Sequence, residues 1–215
     1  MLRAKQIAIV ANGSMEDYSR FKPMLEEADF IIGVDGGLKH LEKMGLVPDV
    51  MMGDFDSIES LEFYKGIYPN AEIETFEARK DYTDSELAIH KAIALGAEEV
   101  NLFGVTGNRL DHTLANISLL KNLYDSDVKA SIVNEDNRIY YTESSLVIRS
   151  DVGTNMSIIP LSLEVGGIYI EGFEYPLVDA TLSFGSTRGI SNVFSAETAR
   201  ICISSGRIVV MQSRD

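Results

Sequence analysis

Two aspartates separated by one residue follow a short apolar segment in the first third of the chain. The segment Gly53-Asp54-Phe55-Asp56-Ser57 comes directly after Val50-Met51-Met52. In an extended chain, residues two apart point the same way, so Asp54 and Asp56 are predicted to project together. Adjacent carboxylates repel unless a cation joins them, and Mg²⁺ commonly uses one or two carboxylates plus substrate phosphates. Metal binding is the favoured interpretation, and capping of the next helix by Asp56 or Ser57 is the alternative.

A second acidic segment, Asp81-Tyr82-Thr83-Asp84, lies just before a predicted helix. Thr83 and Glu86 have the spacing of a capping box, and Asp84 in the first turn suits the helix dipole. A structural role and a role in the same acidic site both remain open for this segment.

Two glycine-containing segments follow predicted strands. Asp35-Gly36-Gly37 permits close backbone approach to a phosphate, or equally an ordinary tight turn. The segment from Gly104 to His112 combines glycines, Arg109 and a helix start, and backbone N–H groups at a helix N-terminus bind anions.

In that segment, Arg109 could clamp a phosphate with two parallel hydrogen bonds. The structural alternatives are that Asp111 only caps the helix and that His112 only packs. Neither a Walker loop nor the G-x-G-x-x-G fingerprint is present, which disfavours NAD binding. Late in the chain, Gly189-Ile190-Ser191-Asn192 is explained as a loop by turn chemistry alone.

The elements that must position these residues alternate between strand and helix in the first part of the chain. Predicted strands are Gln6–Val10, Phe30–Val34, Val50–Gly53, Glu72–Phe76, Val100–Phe103 and Lys129–Val133. Predicted helices are 15–28, Gly37–Met44, Ile58–Gly66, Thr83–Leu95 and Thr113–Tyr124. This alternation predicts an α/β domain with a parallel, Rossmann-like sheet covered on both faces, over residues 1–134.

The pattern changes near residue 135, where short β-branched and aromatic segments are separated by Gly, Asn and Pro. Predicted strands are Arg138–Thr142, Leu146–Arg149, Asn155–Ile159, Gly167–Glu171, Ala180–Phe184, Ala199–Ile203 and Arg207–Gln212. The dipeptide Ser205-Gly206 is predicted to form a hairpin turn. Residues 135–215 are therefore predicted to form an all-β sandwich, with a barrel as the alternative.

Composition limits the class of partner. The 215 residues carry a net charge of −14 and one cysteine, Cys202. No run of Lys and Arg suggests nucleic-acid binding, and a polyanionic substrate such as ATP would need a cation. The apolar start, Met1 to Val10, is too short for a signal-peptide core, and nothing approaches the length of a membrane span. We expect a cytoplasmic protein with neither nucleic-acid nor membrane partners.

Taken together, these segments resemble the thiamine pyrophosphokinase family in order and spacing across nearly the whole chain. The matching features are Asp35-Gly36-Gly37, Pro48-Asp49, Gly53-Asp54-Phe55-Asp56-Ser57, Asp81-x-Thr83-Asp84, Gly104-x-x-Gly107-x-Arg109-x-Asp111-His112 and Ser191-Asn192. The resemblance implies an N-terminal α/β catalytic domain, a C-terminal thiamine-binding sandwich, and transfer of pyrophosphate from ATP to thiamine with Mg²⁺. It also implies a homodimer with active sites between subunits.

The resemblance also implies residue roles. Metal ligands would be Asp54, Asp56 and Asp84, and catalysis would involve these together with Asp81 and Arg109. The ATP side would be formed by Asp35, Gly36, Gly37, Gly107, Arg109, Asp111 and His112. Thiamine would contact Ser191 and Asn192. The proton acceptor is left open between Asp56 and Asp81.

One aromatic position departs from the family. Some relatives cover the thiamine ring with a Trp, which this chain lacks. Phe184, Tyr175 and Phe194 are the candidates to replace it.

Three other functions remain as alternatives. The first is a pyrophosphokinase for another alcohol, such as a hydroxymethyl pterin. The second is a metal-dependent sugar transferase, and the third is a nucleotide sensor without catalysis.

Overall fold

The computed structural model describes residues 6–58, 60–76 and 81–214. The chain divides into two compact units, Met1–Glu135 and Asp136–Asp215. The boundary lies one residue beyond the predicted one. No helix among the described residues is long and apolar enough to cross a membrane.

The first unit is a parallel six-stranded sheet with helical crossovers. Its strands are β1 (Gln6–Val10), β2 (Phe30–Val34), β3 (Val50–Gly53), β4 (Glu72–Thr75), β5 (Glu99–Phe103) and β6 (Lys129–Val133). The helices are α1 (Tyr18–Glu26), α2 (Gly37–Met44), α3 (Leu61–Ile67), α4 (Asp84–Ala94) and α5 (Leu110–Asp125). The order across the sheet is β6-β5-β1-β2-β3-β4, and every pair in it is parallel. The predicted α/β class of this part is confirmed.

The sheet core explains why these segments are strands. Ile7, Ile9, Ile32 and Leu102 are almost fully buried, as parallel strands covered on both faces require. Four helix starts differ from the predictions, because α1 begins at Tyr18, α3 at Leu61, α4 at Asp84 and α5 at Leu110. Helix α3 begins at Leu61 because Ser60 accepts a hydrogen bond from the Phe63 N–H, and the predicted start near Ile58 includes Glu59, which lies outside the described residues.

The second unit is built from strands. They are β7 (Asn137–Thr142), β8 (Ser145–Arg149), β9 (Asn155–Pro160), β10 (Glu164–Glu171), β11 (Leu177–Ser183), β12 (Asn192–Val193), β13 (Thr198–Cys202) and β14 (Ile208–Ser213). Within this unit, β12-β9-β14-β7 form one hydrogen-bonded run and β11-β10-β13-β8 form another. Side chains from both runs, including Ile158, Ile168, Ile201 and Val210, belong to one buried cluster.

The predicted hairpin at Ser205-Gly206 is wrong. Strand β13 pairs with β8 and β10, whereas β14 pairs with β7 and β9. The chain therefore passes from one run of strands to the other at this turn. Turn residues indicate that the chain changes direction, but they do not specify which strand the next segment joins.

Candidate active site

A cavity of about 630 Å³ lies beyond the carboxyl ends of the strands in the first unit. Strands β2, β3 and β4 extend the sheet on one side of β1, and β5 and β6 extend it on the other. Ligands of open α/β sheets bind in the crevice where the strand order reverses in this way. The lining residues are Ala11, Asn12, Gly13, Ser14, Val34, Asp35, Asp56, Ser57, Thr83, Asp84, Ser85, Gly104, Val105, Thr106, Gly107, Asn108, Arg109, His112, Thr113 and Asn116.

The loops after β1 and β5 form one wall because they pack backbone to backbone. The Gly13 N–H donates to the Gly104 carbonyl at 2.5 Å, and the Ser14 N–H donates to the Thr106 carbonyl at 2.9 Å. A Cβ at Gly13 would lie 2.3 Å from the Thr106 carbonyl oxygen. Gly104 has φ of +62°, and a Cβ there would lie 2.2 Å from the Ala11 carbonyl oxygen. Both positions therefore require glycine.

Helix α5 fixes the loop after β5 from the other side. The Asn116 amide donates to the Val105 carbonyl at 2.7 Å, and the Gly107 N–H donates to Thr113 Oγ1 at 3.2 Å. The side chain of the N-cap residue, Arg109, makes no capping hydrogen bond. The N-terminus of this 16-residue helix favours an anion in the cavity, and the Asp111 carboxylate already accepts a hydrogen bond from the His112 N–H there.

The acidic turn after β3 does not have the predicted extended geometry. Phe55 has φ of +59°, a conformation rare for a bulky residue, and Asp54 Oδ1 accepts the Asp56 N–H at 3.1 Å. The chain therefore turns between the two aspartates. The alternative role of Asp56 or Ser57 as a helix cap is also wrong, because Ser60 caps α3.

Asp35 lies near Asp54 and Asp84, and these three residues are called the acidic cluster below. Its Oδ1 accepts the Phe55 N–H at 3.1 Å. Burial raises the pKa of Asp35 to about 7, the Phe55 hydrogen bond opposes that rise, and the nearby charges of Asp84 and Asp54 add to it. Gly53 permits this arrangement, since a Cβ there would lie 1.8 Å from Asp35 Oδ1.

The cluster has features that suit a cation or a phosphate. Ser57 Oγ is buried beside the cavity without a hydrogen-bond partner, and the Lys39 ammonium donates to the Ser57 carbonyl at 2.5 Å. In the part of the chain that the structure describes, no three Asp, Glu, His or Cys side chains are grouped closely enough to hold a metal alone. A metal here would need ligands from a substrate as well.

Arg109 forms a two-point ion pair with Asp111. The Nε–Oδ1 distance is 3.2 Å and the Nη2–Oδ2 distance is 2.5 Å, and both side chains are exposed. The pair raises the pKa of Arg109 and lowers that of Asp111. The alternative of Asp111 as N-cap is wrong, because the helix begins at Leu110 with Arg109 as its cap residue. His112 lines the cavity.

The other predicted residues divide between the cavity and its surroundings. Thr83 caps α4 by accepting the Glu86 N–H at 3.2 Å, as its spacing predicted, and Asp84 lies in the first turn. Asp81 is exposed. Five of the described residues predicted for metal, catalysis or ATP do not line the cavity: Asp54, Asp81, Asp111, Gly36 and Gly37.

Gly36 and Gly37 allow a close approach, but to the first strand and the loop after it. A Cβ at Gly37 would lie 2.0 Å from the Val10 carbonyl oxygen, and one at Gly36 would lie 2.1 Å from Asn12 Oδ1. These glycines seat α2 against the end of β1.

In the second unit, Ser191 is exposed with φ of +58°, and its N–H donates to Ser157 Oγ at 3.1 Å. The Asn192 side chain is buried, and its amide bonds both the N–H and the carbonyl of Tyr175 at 3.1 and 2.7 Å. Asn192 therefore holds Tyr175 beside Ser191.

The three candidate aromatic side chains of this unit differ in exposure. Phe194 is fully buried and packs on Phe173, with 4.7 Å between ring centroids. It cannot cover a ligand, whereas Tyr175 and Phe184 are about two-thirds exposed.

Sequence reasoning missed several polar residues that line the cavity, namely Asn12, Ser14, Ser85, Thr106, Asn108, Thr113 and Asn116. Most of them follow β1 or β5. Their meeting depends on β5 pairing with β1, and only the sheet order reveals that pairing.

Comparisons with known proteins give a consistent result. The family model described as "Thiamin pyrophosphokinase, catalytic domain" matches residues 21–132, and "Thiamin pyrophosphokinase, vitamin B1 binding domain" matches residues 143–209. The chain is 30% identical over 213 residues to thiamine pyrophosphokinase of Bacillus subtilis, covering 98% of this chain and 100% of that protein.

Solved structures agree. The crystal structure of thiamine pyrophosphokinase from Bacillus subtilis superposes with a TM-score of 0.88 at 30% identity, covering 98% of this chain and 100% of that one. Thiamin pyrophosphokinase from Geobacillus thermodenitrificans gives a TM-score of 0.84 at 30% identity, covering 98% of each chain.

Proposed function

The chain belongs to the thiamin pyrophosphokinase family, and we propose how its residues carry out the reaction of that family. It transfers a pyrophosphoryl group from ATP to thiamine, giving thiamine pyrophosphate and AMP. The observation that carries the residue assignment is the cavity at the strand-order reversal, where carboxylates and a helix N-terminus face the same space.

We assign ATP to this cavity. The first turn of α5 offers backbone N–H groups to phosphate oxygens, and the guanidinium of Arg109 can exchange the Asp111 carboxylate for a phosphate of similar geometry. His112 and Gly107 contribute to the same wall. Asp111, in this assignment, keeps Arg109 extended until the nucleotide arrives.

The acidic side of the cavity fits Mg²⁺. Asp56 and Asp84 line the cavity, Asp54 lies near Asp35, and the Ser57 hydroxyl is unpartnered there. Asp54, Asp56 and Asp84 would hold the ion together with phosphate oxygens. When bound, Mg²⁺ offsets the negative charge that ATP brings to an acidic protein.

Thiamine is assigned to the second unit, at Ser191, Asn192 and Tyr175. Asn192 holds the backbone of Tyr175, and in this assignment the exposed Tyr175 ring takes the place of the Trp of some relatives. The hydroxyl of thiamine attacks the β-phosphorus of ATP in line. The bond from that phosphorus to the α-phosphate oxygen breaks, AMP leaves, and a carboxylate accepts the proton of the hydroxyl. Asp56 is favoured over Asp81 as this acceptor because it lines the cavity.

We further propose a cytoplasmic homodimer in which the two units of one active site come from different subunits, and a sandwich arrangement for the second unit. Exposed apolar side chains on the second unit, among them Leu163, Val178 and Phe184, support an interface there.

Product analysis tests the function. The purified protein is incubated with ATP, Mg²⁺ and thiamine, and the nucleotides and thiamine species are separated by chromatography. We expect AMP and thiamine pyrophosphate in equal amounts, and only when metal is present. Formation of ADP and thiamine monophosphate would contradict pyrophosphoryl transfer. Product formed only with another alcohol would contradict thiamine as the acceptor substrate.

A further inference from the structure

A half-buried histidine on α2, His40, joins two polar groups from different parts of the first unit. Its Nδ1 lies 2.8 Å from the Tyr18 hydroxyl on α1, and its Nε2 lies 2.9 Å from the Gly13 carbonyl oxygen. The catalytic assignment uses neither His40 nor Tyr18. Helix α2 brings His40 to this point because Gly37 lets the helix sit directly against the end of β1.

The chemistry of the partners determines the tautomer of His40. A carbonyl oxygen only accepts, so Nε2 must carry the proton and donate to Gly13. In a neutral ring Nδ1 then accepts, so the Tyr18 hydroxyl donates to it. The chain Tyr18 O–H to Nδ1, then Nε2–H to the Gly13 carbonyl, is fully satisfied only with an uncharged imidazole in this tautomer.

The surroundings favour the uncharged ring. The groups that face it are the ammonium groups of Lys39 and Lys43 on the same helix, the Glu135 carboxylate and the Tyr18 hydroxyl. Burial lowers the pKa of His40, and the bond to Gly13 opposes that change. The charges of Lys43 and Lys39 lower the pKa further, and the Glu135 carboxylate opposes them.

Gly13 is part of the cavity wall and has little freedom. The Gly13 backbone packs closely against the carbonyls of Gly104 and Thr106, and the carbonyl of Gly13 accepts a hydrogen bond from His40. A movement of Gly13 would change the wall where the loops after β1 and β5 meet.

We propose that His40 is a positioning residue for the nucleotide cavity. The Gly13 carbonyl selects the tautomer with a proton on Nε2, the Tyr18 hydroxyl stabilises it by donating to Nδ1, and the imidazole in turn holds the loop Ala11–Ser14 through the Gly13 carbonyl. This role rests on the assignment of ATP to that cavity.

Kinetics of two substitutions test the proposal. His40→Leu removes the donor and leaves a carbonyl unpaired, so we expect KM for ATP to rise about tenfold. The value of kcat and KM for thiamine should stay within about twofold of wild type. Tyr18→Phe should raise KM for ATP by a smaller factor. The matched control is Tyr64→Phe, which removes a hydroxyl that donates to Glu42, a residue of α2 like His40.

A conservative replacement separates positioning from general packing. The side-chain amide nitrogen of a Gln at position 40 would lie near the Nε2 position, and it is always a donor because an amide has no second tautomer to adopt. His40→Gln should therefore restore most of the ATP affinity that His40→Leu loses. Adding Tyr18→Phe to the His40→Gln background should then have little further effect. An equal effect of Tyr18→Phe in both backgrounds would overturn the role of the tautomer.

The wild-type protein provides a measurement that does not depend on a variant folding. The chain has three histidines, so ¹⁵N-edited NMR of the imidazoles can be assigned with one substitution at each. We expect His40 at neutral pH to show a protonated Nε2 and an unprotonated Nδ1. A charged ring, the other tautomer, or an unchanged KM for ATP in His40→Leu would overturn the proposal. Failure of ATP to bind in this cavity would instead leave the NMR result intact, which distinguishes the two assignments.

Discussion

The carboxylates of Asp56 and Asp84 reach the same cavity from two different loops. Replacing either by Asn keeps the shape but removes a negative charge that would hold Mg²⁺, the ion that would offset the charge of the phosphates and orient them. We expect kcat to fall by about a hundredfold or more in each variant. Steady-state turnover and thermal unfolding check this, and near-normal turnover in both would contradict the metal assignment.

The matched control for these variants is Asp127→Asn. Asp127 is an exposed acid of the same unit, outside the cavity, with φ of +56°, which Asn tolerates. Its turnover should equal that of the wild type.

Asp35 makes stability depend on pH. Its folded pKa of about 7 exceeds the ordinary value of 3.8, so the folded state holds a proton that the unfolded state releases. Stability therefore falls as pH rises from about 4 to 7 and stays reduced above that. Asp35→Asn keeps the Oδ1 acceptor and the left-handed backbone (φ +46°) without the charge.

This variant should be more stable than wild type at pH 8, by roughly 1–4 kcal/mol in the absence of metal. The gain should shrink toward pH 4. Denaturant unfolding at several pH values measures it, and a difference that does not change with pH would count against the raised pKa.

At the acidic turn after β3, the sequence located the aspartates but did not predict the backbone geometry between them. Asp35, Asp54 and Asp84 were singled out from their order in the sequence and lie near one another, but the chain turns between Asp54 and Asp56 instead of running extended. The left-handed turn at Phe55 depends on the burial of its ring and on the Asp35 carboxylate, which comes from the turn after β2. Local alternation contains neither contact.

The loop after β5 depends on glycine at Gly104. Gly104→Ala would strain the backbone and place a methyl group 2.2 Å from the Ala11 carbonyl. We expect a loss of roughly 1–3 kcal/mol in the free energy of unfolding, together with a higher KM for ATP.

Gly66→Ala serves as the control for that loss. Gly66 lies within α3, and a Cβ there meets no atom within 4 Å. This substitution should stabilise the protein by about 0.5–1 kcal/mol and leave kinetics unchanged. Destabilisation by both, or by neither, would contradict the packing argument.

Elements with a clear apolar run were predicted to the residue, as for β1, β2, β3, β6 and α2. Strand β3 ends at Gly53, and β2, β6 and α2 are followed directly by Asp35, Asn134 and Gly45, which are local signals. The two-residue strand β12 was not predicted, because nothing in its own sequence distinguishes it from a loop. The error at Ser205-Gly206 has the same origin, since strand pairing is decided by distant segments.

For the whole molecule, the homodimer is the assembly that we propose. Val178 on β11 is 74% exposed, and a charge at such an apolar position would disfavour an interface. We expect Val178→Glu to shift the mass in analytical ultracentrifugation from two chains toward one. Turnover should fall in parallel, because each active site would lose its second unit.

Val152→Glu is the comparison for this test. Val152 is 61% exposed in a turn of the same unit, and its variant should remain dimeric. A wild-type monomer with full turnover would contradict shared active sites.

The position of the metal and the nucleotide in a crystal tests most directly whether both bind in this cavity. The protein would be crystallised with Mn²⁺ in place of Mg²⁺ and with α,β-methylene ATP, which cannot be cleaved at the reacting bond. We predict an anomalous peak in the cavity of the first unit, between the phosphates and the carboxylates of Asp56 and Asp84. A peak or a nucleotide bound elsewhere would contradict the assignment of ATP and metal to this cavity.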